Sequence, residues 1–237
     1  MRVLLCLLLL FPPMCARSQS FVYAPSITLP ARPMETGETE VRGGGAMLAE
    51  TRPRWAKGIA TAGGEISIRH ALGNRLTLGI KGWADPDGLS AGEPLRSGIC
   101  ADALVTLPAS DSNRQMALMP RAAIILDGNR LQGWGTEVAL AIWLPHFGPL
   151  APYCGLGLMA GFRTVTREGS GPLAAFNISP GPYPSWGYGV GCNLGGSVEL
   201  GAGAGLYLEL AAAVQTNLYS GETRLAILPA AGIAWRF

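Results

Sequence analysis

The chain is 237 residues long, which suits one barrel or one large domain, and its formal net charge is +2. Charged residues make up only 14% of it, against roughly 25% in an average soluble domain, whereas 49% are hydrophobic and 33 are glycines. This composition indicates a lipid environment. The near-neutral charge offers no basic patch, so a nucleic-acid partner is not expected.

Residues 1–18 have the layout of an export signal. Arg2 supplies the positive end and an apolar run follows, while Ala16 and Ser18 are the small residues that a signal peptidase reads. The run is too short to span a membrane, so we predict cleavage and a mature start at Gln19.

Residues 19–37 form a proline-rich stretch that contains Pro25, Pro30 and Pro33. Proline fixes φ and lacks an N–H, so this stretch does not suit a helix or the interior of a sheet. We predict an extended periplasmic leader, followed by a single barrel domain over residues 38–237.

From residue 38 onward, ten segments alternate apolar and polar residues with the period of a β-strand. They span residues 38–50, 57–70, 75–84, 97–107, 115–126, 133–144, 151–164, 185–200, 205–216 and 223–237. In the second, Ile66 and Ile68 share one face, and Glu65 and Arg69 share the other. Tilted strands of about 9–11 residues cross a bilayer, with apolar side chains outward and polar ones inward. The pattern predicts an all-β, antiparallel up-and-down transmembrane β-barrel of about ten strands, or eight if one hairpin is misassigned.

A membrane-spanning helix does not fit the chain. The longest window without charge, residues 138–162, contains Pro145, Pro149 and Pro152, which would break such a helix repeatedly. A strand, a turn and a second strand fit this window better.

The connections between the segments alternate in length, as they do in outer-membrane barrels with short periplasmic turns and longer outer loops. The short connections are 71–74, 109–114, 145–150 and 201–204, and those that are longer on average are 51–56, 85–95, 127–132, 165–184 and 217–222. An even number of strands then leaves both termini in the periplasm.

The last strand, residues 224–237, places Ile233, Trp235 and Phe237 on one apolar face, and the chain stops on the aromatic Phe237. This ending resembles the C-terminal strand of small bacterial outer-membrane β-barrel proteins. The resemblance implies that these three residues are an insertion signal, with the barrel-insertion machinery and outer-membrane lipid as partners and the bacterial outer membrane as the location.

The start of the chain carries a second resemblance, over about twenty residues. Tyr23 and Pro25, then Pro33, then Gly37 and Glu38 resemble the start of envelope lipoproteins of Bacteroidetes-like bacteria. That resemblance implies lipidation at Cys15 as an alternative to simple cleavage. Met14 precedes this cysteine, where lipoprotein signals normally have a small residue, so simple cleavage is favoured.

A soluble β-sandwich or lipocalin-like barrel would show the same alternation with its apolar face turned inward. Such a protein, free or lipid-anchored in the periplasm, would bind an apolar ligand. The thin polar faces, the extent of the apolar faces and the aromatic last strand favour the membrane barrel.

The inward charges are expected to fill the lumen as a network of ion pairs, because a barrel of this size is narrow and buried charges need partners. The predicted network comprises Glu65, Arg69, Lys81, Asp102, Arg121, Glu137, Arg163, Glu199, Glu209, Arg224 and Arg236. The alternative is a narrow channel or small-ligand transporter, because the inward positions of the seventh and eighth segments are mostly glycine. These glycines are Gly155, Gly157, Gly161, Gly187, Gly189, Gly191 and Gly195.

Enzymes on this architecture depend on a histidine with an acid or a serine. Only His70 and His146 are present, both near predicted periplasmic ends, so we predict no enzyme, no catalytic residue and no cofactor. The run from Asp85 to Gly88 could hold calcium but reads better as a turn, and no other pattern suggests a metal. The protein is therefore expected to be a non-enzymatic barrel with a structural or surface-binding role, whose loop 165–184 is the candidate contact for an external ligand.

Cysteines and aromatic residues complete the sequence predictions. Cys100, Cys154 and Cys192 are expected to be small packed or lipid-facing residues, and a disulfide stays open. An aromatic girdle at the membrane surfaces is expected from the residues near strand ends. These residues are Trp134, Trp143, Tyr153, Trp186, Tyr188 and Trp235.

Overall fold

The computed structural model describes residues 29–30, 32–50, 59–85, 96–108, 115–127, 130–167, 181–218 and 223–237. Their ten antiparallel strands close into one barrel, in which neighbours in sequence pair and β1 also pairs with β10. The strands are β1 (Thr39–Glu50), β2 (Ile59–Gly73), β3 (Leu76–Asp85), β4 (Arg96–Thr106), β5 (Gln115–Asp127), β6 (Arg130–Trp143), β7 (Leu150–Arg167), β8 (Gly181–Gly201), β9 (Ala204–Asn217) and β10 (Thr223–Arg236). The predicted all-β, up-and-down barrel of ten strands is confirmed.

The start of β1 and the end of β10 lie side by side at one end of the barrel, which we call the proximal end. Thr39 N–H donates to the carbonyl of Phe237 (2.9 Å), and Phe237 N–H donates to the carbonyl of Thr39 (3.1 Å). The same end carries the connections 74–75, 107–114, 144–149 and 202–203. The last is a tight turn, in which Gly203 has a φ of 78°.

Two predicted loops at the opposite, distal end are shorter than expected. The predicted loop 127–132 shrinks to two residues, because β5 continues to Asp127 and β6 begins at Arg130, its partner in register. Likewise β7 and β8 extend into the predicted loop 165–184 and leave only residues 168–180 between them. Continued strand pairing satisfies backbone N–H and C=O groups that would otherwise need other partners in a loop. Side-chain alternation alone does not show where this pairing stops.

The barrel exterior is apolar and its interior is polar. On β2, Ile66 and Ile68 are 58% and 47% exposed, whereas Glu65 and Arg69, which flank them on either side, are buried. The same phase recurs around the barrel in large exposed side chains that include Ile80, Ile99, Leu118, Val138, Leu158, Val190, Leu210 and Ile227. Water-soluble monomers rarely expose contiguous apolar patches larger than a few hundred Å², so this exterior fits hydrocarbon rather than water.

Aromatic side chains lie at both ends of this apolar surface. Trp134, Phe162 and Trp186 are direct cross-strand neighbours on β6, β7 and β8 near the distal end. Trp186 makes edge-to-face contacts with Trp134 (centroids 5.6 Å apart) and with Phe162 (5.3 Å). At the proximal end, Trp235 and Phe237 are exposed. Aromatic side chains at both borders of an apolar band are typical of transmembrane barrels.

Two of the predicted girdle residues lie elsewhere. Trp143 and Tyr153 are buried in the lumen, because they occupy the inward phase of β6 and β7. Tyr153 is two residues from Gly155, which was predicted to face inward, so strand alternation alone predicts an inward Tyr153.

All three described cysteines are free thiols. Cys100 is buried beside Ala123, Ile125 and Trp83. Cys154 and Cys192 occupy the outward phase, and Cys154 is in register with Leu194 rather than with Cys192. Diagonal neighbours of this kind are about 7–8 Å apart, which exceeds the usual Cα separation of a disulfide.

The part of the leader that the structure describes does not extend away from the barrel. Leu29 is fully buried within the proximal lumen and Met34 is also buried. The predicted signal peptide, Cys15 and residues 19–28 lie outside the described residues. Among the described residues, no helix is long and apolar enough to cross a bilayer.

Candidate functional site in the barrel lumen

The lumen brings together most of the charges that the sequence assigned to it. Glu65, Arg69, Lys81, Asp102, Arg121 and Glu209 are buried inside the barrel, and Glu137 is nearly so. Each comes from the inward phase of a different part of the sheet, so their partners lie across strands rather than along the chain. The interior is a set of local clusters, which we describe from β2 around to β1.

Arg69 and Asp102 form a two-pronged ion pair that crosses an intervening strand. Arg69 Nη2 lies 3.1 Å from Asp102 Oδ2, and Nε lies 3.2 Å from Oδ1. Between them on β3, in register with both, is Gly79, where a Cβ would lie 2.9 Å from Arg69 Cγ and collide with the Asp102 carboxylate. The glycine therefore makes room for the ion pair.

Arg121 and Glu137 pair directly between β5 and β6, where they are in register. The distance from Arg121 Nη1 to Glu137 Oε2 is 3.0 Å. The Glu137 carboxylate lies over Gly157 of β7, where a Cβ would be 2.5 Å from Glu137 Oε1. The second inward glycine of β7 is thus covered by a neighbouring side chain.

Glu65 accepts interactions from two other strands. Lys81 Nζ lies 3.5 Å from Glu65 Oε2, and the Tyr207 hydroxyl donates to Glu65 Oε1 (3.0 Å). The Arg42 guanidinium carbon lies 5.2 Å from the centre of the Tyr207 ring, a cation–π distance. This cluster links β1, β2, β3 and β9 across the barrel interior.

Glu209 is the acceptor of a third cluster. The Tyr153 hydroxyl donates to Glu209 Oε2 (2.9 Å), and Asn193 Nδ2 lies 3.4 Å from the same oxygen. The Tyr153 ring lies flat over Gly195 of β8, where any Cβ would collide with it, and the Asn193 amide lies over Gly155 in the same way. These glycines therefore hold side chains from neighbouring strands and leave no open lumen at their positions.

The proximal rim is a fourth cluster, centred on Glu40. Glu40 accepts from Arg42 Nε (2.6 Å) and from Arg236 Nε (2.8 Å), and Arg236 also reaches the exposed Glu199 (3.2 Å). A cavity of about 280 Å³ lies beside this cluster, lined by residues that include Arg32, Glu38 and Ser197. Its lining charges largely pair with one another.

The described lumen charges balance. Inside the barrel are Arg42, Arg69, Lys81, Arg121 and Arg236, against Glu40, Glu65, Asp102, Glu137 and Glu209, which is five of each sign. Bare buried charges would be prohibitive, so equal numbers with short separations are what a closed polar interior requires.

Sequence reasoning missed Glu40, Arg42, Tyr153 and Tyr207. The inward phase of β1 carries Glu40, Arg42, Gly44 and Ala46, so the first two could have been found by the same alternation. No sequence signal shows which tyrosine hydroxyl meets which carboxylate, because that depends on the stagger of strands distant in sequence.

The remaining predicted site residues lie on β7 and β10 or at the ends of strands. Arg163 and Arg224 lie on β7 and β10, but their side chains are outside the described part. Ile233, Trp235 and Phe237 are exposed in the outward phase of β10 and just beyond it. Asp85 ends β3, and residues 86–88 and 168–180 fall outside the described residues.

Both histidines are exposed at the surface of the protein. His70 is exposed in the outward phase of β2 and shares a hydrogen bond with the Thr39 hydroxyl (2.9 Å). His146 is exposed in the connection 144–149. Among the described residues, no group of three or more His, Cys, Asp or Glu side chains could hold a metal ion.

No protein-family model matches the chain, and no curated protein matches it. Among solved structures, it is similar to Ail, the attachment invasion locus protein of Yersinia pestis, at 11% identity and a TM-score of 0.39, over 86% of this chain and 100% of that one. It is similar to Neisserial surface protein A at 12% identity and a TM-score of 0.43, over 85% and 99% of the two chains. It is also similar to the outer membrane protease OmpT from Escherichia coli at 10% identity and a TM-score of 0.49, over 89% and 99%.

The contact between Gly195 and Tyr153 gives a first prediction. Gly195→Ala places a methyl group against a fully buried ring, and we expect it to lower the free energy of unfolding by about 1–3 kcal/mol, as overpacking does. Gly43→Ala is the matched control, because nothing lies within 4 Å of its Cβ position. Urea titration of the barrel refolded in liposomes measures both. Equal stability of the two variants would contradict a wall packed by Tyr153.

The Arg69–Asp102 pair gives a second prediction. Arg69→Met leaves a buried carboxylate without its partner and should cost about 3–5 kcal/mol of unfolding free energy, whereas adding Asp102→Leu should recover most of that loss. The same titration measures the single and double variants. Additive losses in the double variant would show that the two side chains do not act as a pair.

Proposed function

We propose that this chain is a non-enzymatic β-barrel protein of the bacterial outer membrane, with a structural or surface-binding role. The observation that carries the proposal is the polarity of the sheet. Large apolar side chains cover the outside, and charges that pair across strands fill the inside. A closed barrel satisfies its backbone hydrogen bonds internally, so such an exterior can lie in hydrocarbon.

The closed interior favours a scaffold over a channel. The channel hypothesis depended on inward glycines, and Gly155, Gly157 and Gly195 lie beneath Asn193, Glu137 and Tyr153. The ion pairs around them tie neighbouring strands together. A barrel whose lumen is filled in this way interacts with its surroundings mainly through its lipid-facing surface and its outer connections.

The surroundings of the histidines support the absence of catalysis. His70 faces outward next to Thr39, and His146 lies in an exposed proximal connection. A general base must hydrogen-bond to the group that it activates within a shielded site. Both histidines are exposed, so neither lies in such a shielded site.

The outward positions of Ile233, Trp235 and Phe237 support their proposed role as an insertion signal for the barrel-insertion machinery. A lipid anchor at Cys15 remains the rival to cleavage before Gln19. Metabolic labelling with a palmitate analogue separates the two, because only an anchored protein loses its label in Cys15→Ala.

The distal connections are the proposed contact for an external partner. The longest lies between β7 and β8, which are the two longest strands. Longer outer loops of transmembrane barrels are where such proteins meet ligands outside the cell.

Conductance measurements in planar bilayers test whether the barrel is a scaffold or a channel. The purified folded protein should give no reproducible single-channel steps, because side chains from all sides occupy the lumen. A general porin reconstituted at the same protein-to-lipid ratio serves as the positive control. Uniform stepwise conductance by this protein would reject the structural role and reinstate the channel.

A further inference from the structure

The leader segment, defined here as residues 29–30 and 32–38, lies in the proximal mouth of the barrel. Leu29 is fully buried and belongs to an apolar cluster built from the proximal parts of β4, β5, β6 and β7. The other members are Leu104, Ala117, Met119, Ala139, Ala141, Trp143 and Tyr153. Three alanines, Met119 and Leu104, together with the rings of Trp143 and Tyr153, form a pocket that the Leu29 side chain fills.

Lumen side chains recognise the backbone of this segment. Arg42 Nη2 donates to the Leu29 carbonyl (2.5 Å), and Trp143 Nε1 donates to the Pro30 carbonyl (2.8 Å). The Tyr153 hydroxyl also hydrogen-bonds with the Leu29 backbone. Pro30 has no N–H, so its position in an apolar site leaves no donor without a partner.

The segment is held at the rim as well. Arg32 donates to both carboxylate oxygens of Glu38, at 2.6 and 3.1 Å, and Gly37 N–H donates to the Ala71 carbonyl of β2 (2.9 Å). Burial raises the pKa of Glu38, but the hydrogen bonds and charge of Arg32 outweigh it and hold that pKa below the usual value. Glu38 therefore stays ionised at neutral pH and keeps the rim contact.

These contacts have the features of a peptide-binding site rather than of a linker resting on a surface. Recognition uses three side chains that bond to main-chain groups, together with one pocket for an apolar side chain. All three belong to lumen residues that are themselves buried: Arg42, Trp143 and Tyr153. A linker that only connects would need none of these buried polar side chains.

We propose that the proximal half of the lumen is a peptide-binding site that recognises an extended Leu-Pro segment, and that the leader segment is its resident ligand. Bound there, the leader closes the mouth of the barrel. Because the leader is tethered to β1, it competes at a high effective concentration, so the site is occupied by its own chain at rest. Loss of one side-chain donor to the leader's carbonyls should make the leader open more often without unfolding the barrel.

Cysteine accessibility in the full-length protein tests this proposal. Leu29→Cys is placed in a chain whose five natural cysteines are all alanine, and a polar maleimide is added to the folded protein. Labelling should be at least about tenfold slower than at Glu35→Cys, an exposed position of the same segment, because reaction requires the leader to open. Urea-unfolded samples should label equally at both positions.

Removal of a single donor provides the discriminating comparison. Trp143→Phe keeps an aromatic wall but deletes the hydrogen bond to Pro30, and it should speed labelling of Leu29→Cys several-fold without changing Glu35→Cys. Trp134→Phe, on the lipid-facing surface, is the matched control and should change neither rate. Protease resistance in lipid confirms that each barrel is folded.

Two results would overturn the proposal. One is labelling of Leu29→Cys at the rate of Glu35→Cys in the folded barrel. The other is an equal effect of Trp143→Phe and Trp134→Phe on Leu29→Cys. If Leu29→Cys does not yield a folded barrel, Met34→Cys reports on the same docking, because Met34 is also buried, and the same expectations apply to it.

Discussion

Charge pairing across strands is the interaction on which the rest of this structure depends. A sheet that turns its apolar face to lipid must place its polar face in a narrow, closed interior. There, a charge separated from its partner costs several kcal/mol, whereas a paired charge with further hydrogen bonds can be accommodated. The pairs Arg69–Asp102 and Arg121–Glu137, and the bridge from Lys81 to Glu65, therefore constrain how β2 to β6 can align. A slip of one residue would send these side chains into the bilayer.

Glycine makes this pairing sterically feasible. Gly79 lets a guanidinium and a carboxylate meet across the strand that separates them, and Gly195 lets the Tyr153 ring lie flat on the wall and reach Glu209. The high glycine content therefore serves packing: small positions on one strand accept large polar side chains from another. The rim of Glu40 and Arg236 then ties the last strand to the first, where the barrel closes.

Alternation along the chain was sufficient to predict ten strands, their order and which face holds the charges, because each strand is long and the two faces differ strongly. It misplaced strand ends at Asp127 and around β7 and β8, since backbone pairing can continue past the last informative side chain. It assigned Trp143 and Tyr153 to the girdle by their nearness to strand ends, although their phase is inward. The docking of Leu29 could not be predicted, because the pocket forms only when β4 to β7 have paired, and Leu29 lies far from all four strands in sequence.

The leader and the charge network play complementary parts. The network fills the middle of the lumen with paired polar groups, and Leu29 completes an apolar layer nearer the proximal end. Arg42 belongs to both, since it pairs with Glu40, lies over Tyr207 and binds the Leu29 carbonyl. Closure of the barrel and occupation of its mouth are thereby linked through one buried side chain.

The central claim is that the apolar exterior lies in a membrane, and heat-modifiability of the protein in outer-membrane fractions tests it most directly. A folded transmembrane barrel should resist detergent in unboiled samples and migrate differently on a gel after boiling. The account predicts such a shift, with the protein retained in the membrane pellet after washing. No shift, together with release of the protein by washing, would contradict the membrane assignment.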